Sequence, residues 1–435
     1  MAALTEADRM SMQVTWERAP GVVAPELAAT WCGLEIEVDG RPATLVADRR
    51  GGGLRRGVHT SAYPLAEWIA TRWWSLTQHV RPSARSVSGW TWARAGHEAW
   101  LSQHNLRAAG DGMPWPDLTL VPEGDVTRIV WRAGAGMAQQ PLIFLTSGDV
   151  YLPAAAVHKA LNGFVVQVLD RLEESGIRGT HLQEEWHALS LLDSEEREFA
   201  AAAARLGLDA FDLDKDVAEA LESLSGTLNE ALFEEFLDSA DPTRLAAARR
   251  WLDRASRRVA PGGVPRADLP VAAAVGLRPA TDLRPWSRGY ELAGSCRVHL
   301  DLSPTQRIDL NGVVKVTRVG GEAAGLQGLM RVIDDRVGLA LPQELTGTAA
   351  TRFAQARALG LSLLTGRDAA LLDPTGTETA KTSRAFAAEL LAPAAGVAEY
   401  LAVLADVTDR ALEAIADRFG ASPLLVQRQY DNQLG

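Results

Sequence analysis

The hexapeptide Ala260-Pro261-Gly262-Gly263-Val264-Pro265 constrains this chain more than any other feature. Its prolines remove backbone donors and its glycines widen backbone freedom, so neither a helix nor a central strand continues through it. At 435 residues the chain is also too long for one ordinary core and calls for two or three domains of roughly 100–200 residues. The break therefore reads as a linker, 261–270, between a helical domain, 178–260, and a C-terminal domain, 271–435.

The first part, 1–177, reads as an α+β domain. Leu34 to Val38 alternates as a strand does, and Asp39-Gly40 is a hairpin signal leading into Ala43 to Ala47. A second hairpin is expected to join Leu118–Val121 to Thr127–Trp131 through Glu123-Gly124-Asp125. Between them, Leu65, Trp68, Ile69, Trp73 and Leu76 recur at the spacing of one helix over Pro64 to His79. Ten of the 13 tryptophans fall in the first 150 residues. Trp68 and Trp73 lie on an apolar stripe and read as core, which leaves Trp90 and Trp92, beside Arg94, as the candidates for exposed stacking.

From Thr180 to Val259 the pattern is helical, and Asp193 with Glu196 has the spacing of a capping box. Glu234, Glu235 and Asp238 make one helix acidic, whereas Arg244, Arg249, Arg250, Arg254, Arg257 and Arg258 make the next basic. The two either pair as neighbours or leave a face for phosphate. A formal charge of −11 argues against a chain built as a whole to bind nucleic acid, so any such role must be local. A hydrophobic share of 47% with 23% charged residues is that of a folded globular protein. Two distant cysteines, Cys32 and Cys296, suggest neither a disulfide framework nor a cysteine metal motif. The start shows no basic and apolar leader and no stretch reaches the ~18 apolar residues of a membrane helix, so the expected location is cytoplasmic, away from membranes.

Several metal or catalytic patterns begin and fail. His97-Glu98 opens like H-E-x-x-H, yet the fifth position is Leu101, and His104 stands two turns from His97. His181, Glu185 and His187 form a loose cluster in which only the first two stand at i, i+4. Asp212, Asp214 and Asp216 imitate a calcium loop, but Val217 and Ser223 occupy the positions of the required glycine and glutamate, so an acidic helix start is the better reading. No phosphate loop or nucleophile elbow is present.

The most informative segment runs from Arg352 to Pro393. Arg352, Phe353, Ala356, Leu359 and Gly360, followed by Phe386, Ala387, Ala388, Glu389, Leu390, Leu391 and Pro393, resemble the two central helices of the ImmA/IrrE zinc metallopeptidase family. The resemblance covers about a third of the chain. It implies an α+β, mostly helical C-terminal domain with an entry helix near Arg284 and a helical unit after the protease helices. Aligned one by one, the first zinc histidine falls on Arg357, the general-base glutamate on Ala358, the second histidine on Leu361, the trailing histidine on Thr365 and the third-ligand glutamate on Thr382. Zinc hydrolysis needs two histidines on one helix face and a carboxylate to activate water. An arginine at the first position is worse than a blank, because its fixed charge repels a cation. Beyond His299 there is no histidine or cysteine from which to rebuild the site.

Near the C-terminus, Ala416, Gly420 and Val426 have the spacing of a helix-turn-helix, with Ser422 and Pro423 suited to open the second helix. The charge balance from Asp406 to Asp431 is acidic, which favours a structural pair. If the unit reads DNA, Ser422, Gln427, Arg428 and Gln429 are the candidate contacts.

The expectation is thus a non-catalytic relative with no metal and no cofactor. It would bind a protein or peptide partner in a cleft around Arg357, Ala358, Leu361, Thr365, Thr382 and Glu389, in a setting of phage defence, toxins or mobile elements as the resemblance implies. A DNA-binding regulator is the first alternative and a zinc peptidase with relocated ligands the second.

Overall fold

The computed structural model describes residues 9–19, 21–49, 51–80, 98–110, 112–134, 141–269, 284–403 and 407–434. His97, Trp90, Trp92 and Arg94 lie outside them. The chain is a multidomain α+β protein built as two compact units, Met1–Asp212 and Leu213–Gly435. Among the described residues no helix is long and apolar enough to cross a membrane.

In the first unit, Trp31–Val38 is the organising strand. Its alternation buries Cys32, Leu34, Ile36 and Val38 on one face, and it pairs antiparallel with Met10–Trp16, Arg41–Pro42 and Val58–Ser61. The Asp39-Gly40 turn forms with both residues at positive φ, as a two-residue hairpin requires. The return strand is only Arg41–Pro42, however. The chain then swings away, Thr44 Oγ1 accepts the Ile36 N–H, and Val46–Asp48 joins a different sheet with Gly53–Arg55 and Leu142–Phe144. The second hairpin forms, Asp117–Pro122 against Val126–Arg132, with Gly148–Pro153 as a third strand. The single helix expected over Pro64 to His79 breaks at Arg72 into Tyr63–Thr71 and Trp73–Gln78, while Trp68 is buried as expected. A long helix, Ala154–Glu174, lays Val157, Leu161, Phe164, Val165, Val168 and Leu172 onto this core.

The helical segment expected as one domain, 178–260, is divided between the units. Helices His181–Leu191 and Ser194–Arg205 belong to the first unit, where Leu182 is fully buried and its N–H donates to the Tyr63 hydroxyl. The predicted capping box at Asp193 and Glu196 is present. Helices Lys215–Ser225, Glu230–Ser239 and Leu245–Arg258 belong to the second unit. Asp216 sits in the first turn of an ordinary helix, which disposes of the calcium-loop pattern.

The run Ala260 to Pro265 does break the helix, but it is stitched into the second unit rather than hanging as a linker. A Cβ on Gly262 would lie 2.2 Å from the Val313 carbonyl oxygen, and one on Gly263 2.5 Å from that of Gly312. The glycines serve close approach of backbones, and Pro265 bridges to Arg336 while the Arg266 N–H donates to the Asp335 carbonyl. The second unit also holds a four-stranded sheet that the sequence pattern did not reveal. Its order is Lys315–Val319, Arg336–Pro342, Leu329–Ile333, Ala369–Leu371, with the first pair parallel and the others antiparallel. Against it packs Thr348–Thr365, which in turn packs on Glu378–Leu391, with Pro285–His299 beside the latter.

Candidate functional site

Helix Thr348–Thr365 is apolar over most of its circumference and stops where Gly366 takes the left-handed conformation, its N–H donating to the Ser362 carbonyl. Helix Glu378–Leu391 starts at Thr377, whose hydroxyl accepts the Ala380 N–H, and ends before Pro393. Small residues bring these elements together. A Cβ on Gly360 would lie 2.6 Å from the Phe386 ring, and one on Gly289 2.4 Å from the Thr382 carbonyl oxygen. The motif residues Ala356, Leu359, Phe386, Ala387, Leu390 and Leu391 are core residues, so packing alone accounts for their presence.

Arg357 is at the centre. Its side chain is buried, and the guanidinium donates from Nη2 to the Asp373 carbonyl at 2.7 Å, from Nη1 to Gln327 Oε1 at 3.3 Å and from Nε to Ser383 Oγ at 3.4 Å. Burial, aided by the like charge of Arg384 and opposed by Asp373, pulls its pKa down to about 9, which still leaves it protonated at neutral pH. Asp373 caps the loop on its own: one oxygen accepts the Thr375 N–H, the other the hydroxyls of Thr375 and Thr377. Arg384 clamps the same loop by donating to the carbonyls of Asp373 and Thr375. Arg357 therefore reaches Ser383, the residue after Thr382 on the second helix.

They do not, however, line an open cleft. Ala358, Leu361 and Thr382 are buried, and the Thr382 hydroxyl donates to the Glu378 carbonyl within its own helix. Thr365 is half-buried and donates back to Leu361. The expectation of a recognition surface around Arg357, Leu361 and Thr382 is corrected accordingly: apolar packing fills that space and the guanidinium is consumed by internal acceptors. Glu389 lies elsewhere, accepting from the Ala394 N–H and from the side-chain amides of Gln429 and Gln433.

The Glu389 contact decides the fate of the DNA-contact candidates. Asp409–Phe419 and Pro423–Gln433 form the expected pair, with Gly420 left-handed and Ala416 and Val426 buried between them. Gln429 is buried and donates to Glu389 and to the Ala392 carbonyl, so it reads no base. Ser422 caps the second helix, Gln427 donates to Asp431, and Arg428 alone of the four is exposed. The basic helix is likewise partly occupied: Arg249 pairs with Asp253, Arg244 with Asp241 and Glu322, and Arg254 donates to the Gly320 carbonyl. Glu235, of the acidic helix, pairs with Arg367 and accepts the Leu371 N–H.

In the first unit, His181 is held through Nδ1 by Glu67 and through Nε2 by Glu185, so both ring nitrogens are engaged, and His187 is exposed. Among the described residues no group of three or more His, Cys, Asp and Glu is placed to hold a metal ion. The sequence reading missed Gln327, Asp373, Ser383 and Arg384. Only Asp373 carried a usable signal, the turn chemistry of Asp373-Pro374-Thr375-Gly376-Thr377.

No protein-family model matches this chain, and a search of curated proteins returns no match.

Proposed function

We propose that the chain is a non-catalytic, cytoplasmic binding or regulatory protein whose second unit retains a metallopeptidase-like scaffold with the ion replaced by a guanidinium. The observation that supports this reading is the Arg357 crosslink. A zinc ion in such a scaffold ties one helix to its neighbour. Arg357 ties the same two helices and the Asp373 loop with three hydrogen bonds, and the nearby Asp373 carboxylate is taken up by Thr375 and Thr377. The partner in this reading is a protein or peptide, engaged on a surface other than the filled space at Arg357.

The test is reconstruction. A variant carrying Arg357→His, Ala358→Glu, Leu361→His and Thr382→Glu restores the ligand and base types to the positions assigned by the resemblance. It is expected to take up one zinc per chain by elemental analysis, while the unaltered chain takes up none there. A folded variant that binds no zinc, or chelator-sensitive peptide hydrolysis by the unaltered chain, sinks the reading. Affinity purification from the native host with mass spectrometry then identifies the partner, and recovery of nucleic acid instead of protein favours the DNA-binding alternative.

A further inference from the structure

One helix of the second unit carries more positive charge than its neighbours neutralise. Leu245–Arg258 seats Ala248, Trp251, Leu252 and Ala255 in the core, and the Trp251 Nε1–H donates to the Val319 carbonyl, so the helix is fixed in its unit with the other side towards solvent. At i, i+4 and i+8, Arg250, Arg254 and Arg258 make one ridge away from that core, each about 6 Å further along the axis than the last. The acids nearest in sequence are taken: Asp253 by Arg249, and Asp241 with Glu322 by Arg244. Glu235 of the acidic helix goes to Arg367 and the Leu371 N–H instead. Among the described residues, the exposed Arg250 and Arg258 form no ion pair or hydrogen bond. Arg254 between them is held in place. Its Nε donates to the Gly320 carbonyl, and Gly321, at φ +95°, leaves room for the guanidinium, since a Cβ there would lie 2.2 Å from Nη2. Neither Nη group donates to anything among the described residues. Like charges at i, i+4 repel and weaken a helix, so such a ridge costs stability for which the fold itself shows no return.

We propose that the ridge Arg250, Arg254, Arg258 docks an acidic helical segment of a partner protein, one with Glu or Asp at every fourth position. This deepens the reading of the chain as a protein-binding molecule, on which it rests, by naming the surface and the chemistry of the partner. A helix repeats its own i, i+4 side chains at the same rise of about 6 Å, so its carboxylates meet successive guanidiniums in register. A guanidinium takes a carboxylate through two parallel N–H bonds, and Arg254 already presents its free Nη edge for one. Phosphate polymers match less well. The formal charge of −11 repels a long polyanion wherever it runs past the ridge, whereas a short acidic segment stays within it.

The test titrates the full-length protein into a labelled, alanine-rich helical peptide with glutamate at every fourth position and follows fluorescence anisotropy. Binding is expected to saturate, to weaken as salt rises, and to be about 10-fold tighter than that of a scrambled isomer of the same charge, because exposed ion pairs count only as an ordered set. Arg250→Glu with Arg258→Glu should weaken it about 10-fold or more. Arg410→Glu with Arg428→Glu, the same change of charge on exposed residues elsewhere in the unit, should leave it unchanged. Should charge reversal disturb the fold, as read by thermal unfolding, Arg250→Gln with Arg258→Gln decides in its place. No saturable binding, equal binding of the scrambled isomer, or tighter binding of a single-stranded oligonucleotide of the same charge overturns the proposal. Zinc uptake by the four-residue variant at Arg357 does not depend on this ridge, so failure here and failure of the scaffold reading are told apart.

Discussion

The two units differ in the ionisable side chains they bury. In the second, three arginines run into the interior and each ends on oxygen. Arg297 donates to the carbonyls of Leu390, Ser303 and Gln306, Arg352 to those of Gly420, Ile308 and Phe419, and Arg357 to the Asp373 loop. Arg297 and Arg352 finish helix C-termini, where carbonyls lack intrahelical donors and cations are favoured. In the first unit the buried His104 is a ring rather than a cation: burial holds it well below the ordinary imidazole range, and its hydrogen bond runs to the Leu120 backbone. A charge that meets its acceptors can be a fastener. A buried neutral ring instead stabilises only while it stays unprotonated, and the comparison can be broken from both sides.

The largest effect is expected at the fastener. Arg357→Ala removes three hydrogen bonds and a large buried side chain, leaving the Asp373 carbonyl with Arg384 as donor, and should cost about 2–5 kcal/mol of the second unit's stability by urea unfolding. A loss below 1 kcal/mol would mean that the three bonds do not hold the helices, and the view of Arg357 as a stand-in for an ion would fall with it.

Next come two glycines that lie beneath aromatic rings, one in each unit. A Cβ on Gly148 would lie 2.0 Å from the Trp131 ring, and one on Gly360 2.6 Å from that of Phe386. Overpacking of this kind costs roughly 1–3 kcal/mol. At Gly360 the gain in helix propensity, about 1 kcal/mol, offsets part of it. Gly148→Ala should therefore destabilise its unit more than Gly360→Ala does, and thermal unfolding followed separately for each variant gives the order directly.

The third prediction sets the units against each other by pH. A histidine whose folded pKa lies below 6.5 contributes in full above that pH and loses its contribution as pH falls through it, at about 1.4 kcal/mol per pH unit for each ring. Glu235 runs the other way. Burial outweighs its pairing with Arg367 and raises it from 4.5 to about 7, so its contribution is present below pH 4.5 and fades as pH rises towards 7. Between pH 5 and 6.5 the first unit should gain protection with rising pH while the segment around Glu235 loses it. Hydrogen exchange read peptide by peptide at pH 5.5 and 7.5 separates the two. His104→Phe should flatten the first slope and Glu235→Gln the second, and parallel slopes in the unaltered protein would contradict both assignments.

How much of this was legible beforehand depended on how far along the chain each partner lies. The hairpin through Glu123-Gly124-Asp125, the capping box at Asp193 and the Ala416, Gly420, Val426 helix pair are settled by residues within a few positions of one another, and all three formed. The break at Ala260 was legible but its purpose was not, because Gly262 answers to the Val313 backbone, 51 residues on. The sheet of the second unit escaped because its strands are short and one, Ala369–Leu371, follows a helix with no alternation of its own. The resemblance puts Arg357 in a peptide cleft, at the place of the first zinc histidine, and so suggests a partner outside the chain. The acceptors of Arg357, Asp373, Ser383 and Gln327, are 16, 26 and 30 residues away, and nothing local announces them. The Glu389–Gln429 bond spans 40 residues and hid in the same way.

The smallest effects are expected on the last helix, where two adjacent residues of similar sequence character differ only in what they face. Gln429 points inward to Glu389 and the Ala392 carbonyl, so Gln429→Ala leaves a carboxylate and a carbonyl short of donors and should cost about 1–3 kcal/mol. Arg428 is exposed, and Arg428→Ala should stay within about 0.5 kcal/mol. Function separates them in the reverse order. If the helix pair binds duplex DNA, Arg428→Ala weakens it and lowers the salt dependence by about one phosphate contact, while Gln429→Ala acts only through stability. If the pair is structural, Arg428→Ala changes neither stability nor any binding to DNA, because the acids at Asp409, Glu413, Asp417 and Asp431 already oppose phosphate from the same two helices. A salt-dependent mobility shift that disappears in Arg428→Ala at unchanged stability would therefore return the DNA-binding reading to first place.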